Sequence, residues 1–259
     1  LQSRPIINIV NIEQKKLNIF EYIKSQEWFF GIRANESLLF YSAKHRGGGE
    51  YIKKEYGIRF ADTLLFPLEG SCPVRVFNLA QAKKFHAISN EKIFENPHIL
   101  DFYIKKNNLL FNEIELKGQR LIKLIKKNKY EESINIVKDI FSLYELSGAQ
   151  FIIIFSLGLK LAENKDILEG NKNIIEEHNI WRNSVVFKEE KIGENLFYFF
   201  KYALMKKKLD IDPSLIIKFL TLNEVKFWMN GELANVEVDN IICRRKNGFI
   251  YLGFKNYNQ

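Results

Sequence analysis

From about residue 79 to 232, apolar side chains return every three to four positions almost without a break, and nothing else in the sequence constrains the fold as strongly. The spacing predicts helices near 79–87, 97–128, 131–146, 148–163, 172–207, 213–219 and 222–230. Gly118 and Gly193 fall inside two of these and mark the points where they would break. Two starts are signalled locally. Asp212 before Pro213 is an N-cap with proline in the first turn. Thr221 with Glu224 three residues later is a capping box. The most apolar run, Phe151 to Leu159 ("FIIIFSLGL"), is far short of the roughly 20 residues a membrane helix needs. It reads as a buried helix, and no membrane partner is expected.

The flanks differ. Residues 1–10 have strand character, with Ile6, Ile7, Ile9 and Val10 after a Ser-Arg-Pro step. "NIEQKKLNIFEYIKSQ" is amphipathic and helical in pattern. Between 28 and 77, "WFFGIRA" and "SLLFYSA" have strand propensity, three glycines precede a short helix, and "TLLFPLEG" and "CPVRVFN" read as further extended pieces. At the end, "NIICRRKNGFIYLGF" places two branched or aromatic runs around Asn247-Gly248, which predicts a β-hairpin over about 240–254. The expected class is α+β: mainly helical, with a mixed β region near 28–77, a helical part near 79–232 and a C-terminal hairpin.

A chain of 259 residues that is 46% hydrophobic and 14% aromatic has ample material for a packed core, which excludes a disordered chain. The net charge of +8 raises the question of an anionic partner. The lysines, however, are interleaved with 31 acids, and clusters such as Lys123, Lys126, Lys127 and Lys129, or Lys206 to Lys208, read as solvated helix faces. No nucleic-acid partner is expected. Cys72 and Cys243 lie far apart, with no zinc or iron–sulfur spacing, and a reducing, cytoplasmic setting is the expectation.

Two segments carry candidate chemistry. "HRGGGE" (His45 to Glu50) is a glycine loop before a helix, where consecutive amides can cradle an anion. It lacks the Gly-Lys-Ser/Thr of a Walker loop, but Arg33, Lys44, His45 and Arg46 gather cations around it. An ordinary flexible loop is the competing reading. In "EEHNIWRN" (Glu176 to Asn183), His178 and Arg182 are four apart and share a helix face, while Trp181 points to the core. The Arg182 guanidinium suits phosphate or carboxylate; a plain surface pair is the alternative. His86 and His98 are isolated and read as structural. No HExxH, GxSxG or Cys/His catalytic arrangement is present.

The opening "LQSRPI" resembles the last strand of the ATP-grasp domain in phosphoenolpyruvate synthase-like phosphotransferases, with Ile7 where that family usually has Thr. "LDIDPSLIIKFLTLNEVKFWMNGE" resembles the stretch that precedes the swivelling phosphohistidine domain of the same enzymes, through Asp212-Pro213, Leu220-Thr221 and Glu224-Val225. The resemblance implies that residues 1–10 are the tail strand of a preceding ATP-grasp domain and 11–259 the acceptor-substrate domain. ATP and Mg2+ would be the cofactors of the full-length enzyme, with none expected on this fragment. Gln2 and Arg4 would face the nucleotide phosphates. ATP would phosphorylate a histidine on the swivelling domain, and the phosphohistidine would then phosphorylate a small acceptor here. This chain has no phosphohistidine signature, so the fragment alone is expected to be inactive.

"WRNSVVFKEE" resembles a helix of the family's acceptor domains that carries an Arg-Glu-x-x-Lys cluster near the transferred phosphate. Arg182 carries over as a catalytic residue beside His178; Asn183 and Val186 depart from the pattern, and Lys188 would point to another face. The aromatic "WFFGIRANESLLFYSA" stretch is similar to capsule-locus members, L-glutamine kinases among them, which implies the side-chain amide of L-glutamine as acceptor. An amino acid needs a cation for its carboxylate and an acid for its ammonium, and Arg33, Glu36, His45 and Arg46 are the candidates for binding it. Two other readings stay open: a non-catalytic binding or regulatory module with the same fold, and a basic helical nucleic-acid binder.

Overall fold

In chain order the elements are β1 (Asn8–Ile9), α1 (Ile19–Ser25), β2 (Trp28–Arg33), α2 (Leu38–Tyr56), β3 (Thr63–Phe66), β4 (Val74–Asn78), α3 (Leu79–Glu95), α4 (Ile99–Lys126), α5 (Tyr130–Glu163), α6 (Lys165–Gly170), α7 (Lys172–Lys207), α8 (Pro213–Phe219), α9 (Leu222–Asn230), α10 (Asn235–Lys246) and β5 (Phe249–Gly253). This computed structural model describes residues 8–9, 19–33, 37–66, 74–246 and 248–253. The protein is mainly helical with a small sheet.

The long helices follow the apolar spacing. On α4, Leu100, Ile104, Phe111, Ile114 and Leu121 are buried along one face, and neither Gly118 nor Gly193 interrupts its helix. The regions 131–146 and 148–163 form a single helix, α5, which runs through Ser147-Gly148. It occupies the middle of the bundle and packs against α2, α3, α4 and α7. It is long and apolar enough to cross a membrane, but most of its apolar stretch is buried against those neighbours. Asn107 bonds Ser147 and Lys117 pairs with Asp139, so α4 and α5 are antiparallel. Partners between α4 and α7 advance together (Asn108 with Lys188, Glu115 with Lys191, Asn128 with Tyr202), so these two helices run in the same direction.

Both signalled starts form as read. The Asp212 side chain accepts from the Ser214 amide, with Pro213 in the first turn, and Thr221 and Glu224 close a full capping box.

The β region holds β2, β3 and β4, and the sheet order is β1-β5-β3-β4-β2. All pairs are antiparallel except β1 with β5, which is parallel. Thus Asn8 and Ile9 of the amino-terminal segment pair with Phe249 and Ile250 in this same sheet.

Two expectations are corrected. "SLLFYSA" is not a strand, nor is "HRGGGE" a loop: both lie in the 19-residue α2. Leu38, Leu39, Tyr41, Ala43 and His45 are buried around most of its circumference, and this burial outweighs the roughly 1 kcal/mol that each interior glycine costs a helix. The glycine amides lie in the helix interior and form no anion cradle. Nor does a hairpin form over 240–254. Val238, Ile242 and Arg245 recur at helical spacing and are buried on α10, and among the described residues of that stretch only β5 is a strand. The Arg245 guanidinium meets Glu224 with two bonds of 2.6 and 2.7 Å and donates to the Phe219 carbonyl, which anchors α10 to α8 and α9.

Candidate functional site

The crossing of α2 over α5 builds a charged cluster. At the crossing point Gly148 allows close approach, since a Cβ there would lie 2.7 Å from the Lys44 Cα. The Lys44 ammonium is buried and pairs with Glu189 Oε1 of α7 at 2.7 Å. Tyr144 OH donates to the same oxygen at 2.9 Å, and the Phe151 ring faces the ammonium at 4.9 Å. A buried ammonium is tolerable because a carboxylate and an aromatic face replace its water.

A second set of charges lies within one turn of Gly148. Glu145 receives Lys226 Nζ at 2.9 Å and Arg46 Nε at 3.5 Å. The Arg46 guanidinium also donates to Asn223 Oδ1, and its side chain is 52% exposed. His45 is buried, its ring 4.0 Å from that of Tyr41 and 6.4 Å from that of Tyr251. Three cations (Lys44, Arg46, Lys226) therefore meet two carboxylates (Glu145, Glu189), both partly open to solvent. Such a surface can exchange its ion pairs for those of a ligand bearing both signs of charge.

The second predicted pair lies elsewhere. His178 is only 5% exposed, while Arg182 is exposed, so the two do not present one open face. The imidazole sits where Gly158 leaves room: a Cβ on that residue would run into the ring. It stacks on Trp181, with centroids 5.9 Å apart, and neither ring nitrogen has a hydrogen-bond partner. Burial first, and then the charge of Arg182, push its pKa down to about 4. Trp181 points inward as expected and donates to Asn107 Oδ1 at 3.1 Å. Arg182 lies over the Phe155 ring. Lys188 turns aside to Asn108 Oδ1 at 2.8 Å, and burial lowers its pKa. Gly148 and Gly158 are ten residues apart on α5, about 15 Å, so His45 and Arg46 are not brought together with His178 and Arg182.

Of the remaining candidates, Arg33 closes β2 opposite Val74. Glu36, Gln2 and Arg4 lie outside the described residues. His86, read as isolated, ties three helices through a hydroxyl chain. Its Nδ1 lies 2.8 Å from Ser156 Oγ, which donates to Ser89 Oγ at 2.9 Å, and Ser89 in turn donates to Tyr56 OH at 3.4 Å. His98 is exposed beside Asp101. Among the described residues no three His, Cys, Asp or Glu side chains group as metal ligands. Lys44 was visible in the sequence as one of the cations near the glycines, but Tyr144, Glu145, Glu189 and Lys226 carried no signal there.

No protein-family model matches the chain, and neither a curated protein nor a solved structure does.

Proposed function

We propose that the chain is the acceptor-substrate domain of an ATP-dependent phosphotransferase, in which a phosphohistidine on a separate domain of the same polypeptide delivers phosphate to a small amino-acid-like acceptor such as L-glutamine. The single observation that favours this reading is the mixed-charge cluster around Gly148, joined to the resemblance at the two ends of the chain. Arg46 and Lys226 offer donors for a carboxylate or phosphoryl oxygen, and Glu145 and Glu189 offer acceptors for an ammonium. Arg182 is exposed on the α7 segment that resembles the family's phosphate-facing helix, but it lies near Gly158, about 15 Å along α5 from Gly148, and is given no contact with an acceptor held at the cluster. His178 is given no proton-transfer role, because its imidazole is buried and held neutral. ATP and Mg2+ belong to the preceding domain in this reading, and no step through them is assigned to the described residues.

The test is steady-state kinetics of the polypeptide carrying all three domains, with acceptor varied. Arg46→Ala is expected to raise the acceptor KM by about tenfold to a hundredfold, the value of one or two charge-assisted hydrogen bonds. It should leave phosphohistidine formation unchanged. An unaltered KM would remove Arg46 and its cluster from the acceptor site.

A further inference from the structure

On α7, Ile180, Phe187, Tyr198 and Met205 are 70, 72, 57 and 66% exposed. At 100° per residue these four fall within about 20° of one line along the helix. The positions between them complete a seam at alternating steps of four and three: 180, 184, 187, 191, 194, 198, 201, 205. That is the spacing of a two-helix left-handed seam.

The order of residues along this seam fixes what can cover it. Lys191 and Glu194 occupy its centre and are exposed. Glu194 has no ion-pair partner among the described residues, and Lys191 shares its ammonium with Glu115 of α4. The seam is symmetric about the midpoint between Ile192 and Gly193. An antiparallel copy of α7 centred there sets Ile180 against the partner's Met205 and Phe187 against the partner's Tyr198. It also sets Lys191 against the partner's Glu194. Each apolar layer and each ion pair then occurs twice, as a two-fold interface requires. A parallel copy would instead place Lys191 beside the partner's Lys191 and Glu194 beside the partner's Glu194, which opposes that orientation.

We propose that the outer face of α7 is a self-association surface, which joins two copies of this chain antiparallel through the Ile180–Met205 seam with Lys191 and Glu194 setting its register. The seam runs 25 residue steps from Ile180 to Met205, about 37 Å, and lies on a helix whose opposite face is already buried in the bundle, so no refolding is needed to present it.

Sedimentation velocity of the 259-residue chain from about 1 to 100 µM tests this. A monomer–dimer equilibrium is expected, with a limiting mass twice 30.6 kDa. Phe187→Glu should give monomer throughout. Glu194→Lys, which sets like charges against each other at two places, should weaken the dimer by about tenfold or more. Orientation is read by oxidation in a background with Cys72 and Cys243 replaced by Ser. Phe187→Cys with Tyr198→Cys should cross-link to a covalent dimer. Phe187→Cys alone should not, because the two copies of residue 187 are eleven positions, about 16 Å, apart along the pair. A mass of 30.6 kDa at every concentration, which would leave the seam to another domain or protein, overturns the proposal, as does a dimer indifferent to Phe187→Glu or equal cross-linking by the single variant.

Discussion

The His178 imidazole predicts a specific acid sensitivity. It packs between Gly158 and Trp181 with neither nitrogen hydrogen-bonded, and its pKa in the fold is about 4, against 6.5 in the unfolded chain. Between those values the unfolded chain takes up a proton that the folded chain refuses. Stability contributed by the neutral ring is therefore fully present above pH 6.5, falls as pH drops, and stops falling below about pH 4. The slope is about 1.4 kcal/mol per pH unit, which sums to about 3 kcal/mol over the window and about 2 kcal/mol by pH 5. His178→Leu removes the titration and roughly fills the slot; since the ring has no polar partner to abandon, the cost near neutrality should stay under about 1.5 kcal/mol. Urea unfolding of both proteins at about pH 7.5 and about pH 5 gives the difference, from which carboxylate titrations common to both cancel. The variant should gain about 2 kcal/mol on the wild type between the two conditions. Parallel stability curves would show that the imidazole is not held neutral, and that water or a polar group reaches it.

Three further outcomes follow from the packing. Gly148→Ala should destabilise by about 1–3 kcal/mol in thermal or urea unfolding, because the new methyl meets the Lys44 backbone and a backbone cannot turn aside as a side-chain tip can. Arg245→Met strands the buried Glu224 carboxylate and should cost about 3–5 kcal/mol; Glu224→Gln in the same chain should recover part of it by removing the charge while keeping a group that can serve the capping box. Thr221→Ala removes the side chain that caps α9 and should cost about 1 kcal/mol.

The features legible in the sequence were those decided within a few residues. Asp212-Pro213 and Thr221 with Glu224 fix helix starts through bonds that span two or three positions. The apolar periodicity of α4 and α7 survives translation into structure because each buries one long face. Where tertiary contacts decide, local reading failed. The aromatic start of α2 has strand propensity, yet it is enclosed by α5, α8, α9 and β5. Its glycines suggest a loop, yet they lie inside the same helix. The spacing suggested two helices, 131–146 and 148–163, whereas α5 is continuous and Gly148 is the contact point that lets α2 and α5 touch. Asn247-Gly248 suggested a hairpin, but the buried positions before it follow helical spacing. The site divides in the same way. Arg46 and Lys44 stood out beside the glycines, but their acids are supplied by α5 and α7, about 100 and 145 residues away, and no local pattern announces such partners. His178 and Arg182 looked equivalent at four-residue spacing; the room that Gly158 leaves is what draws one into the core and leaves the other exposed.

The proposed function is tested most directly by supplying the complete polypeptide with ATP labelled at the β-phosphate and with L-glutamine among a set of amino-acid acceptors, and following the label. Acceptor phosphorylation through an acid-labile phosphohistidine, with AMP as the nucleotide product and transfer weakened about tenfold to a hundredfold in Arg46→Ala at acceptor concentrations below KM, is the expected result. Steady ADP formation without a phosphohistidine, or transfer that persists unchanged in Arg46→Ala at low acceptor, would contradict it.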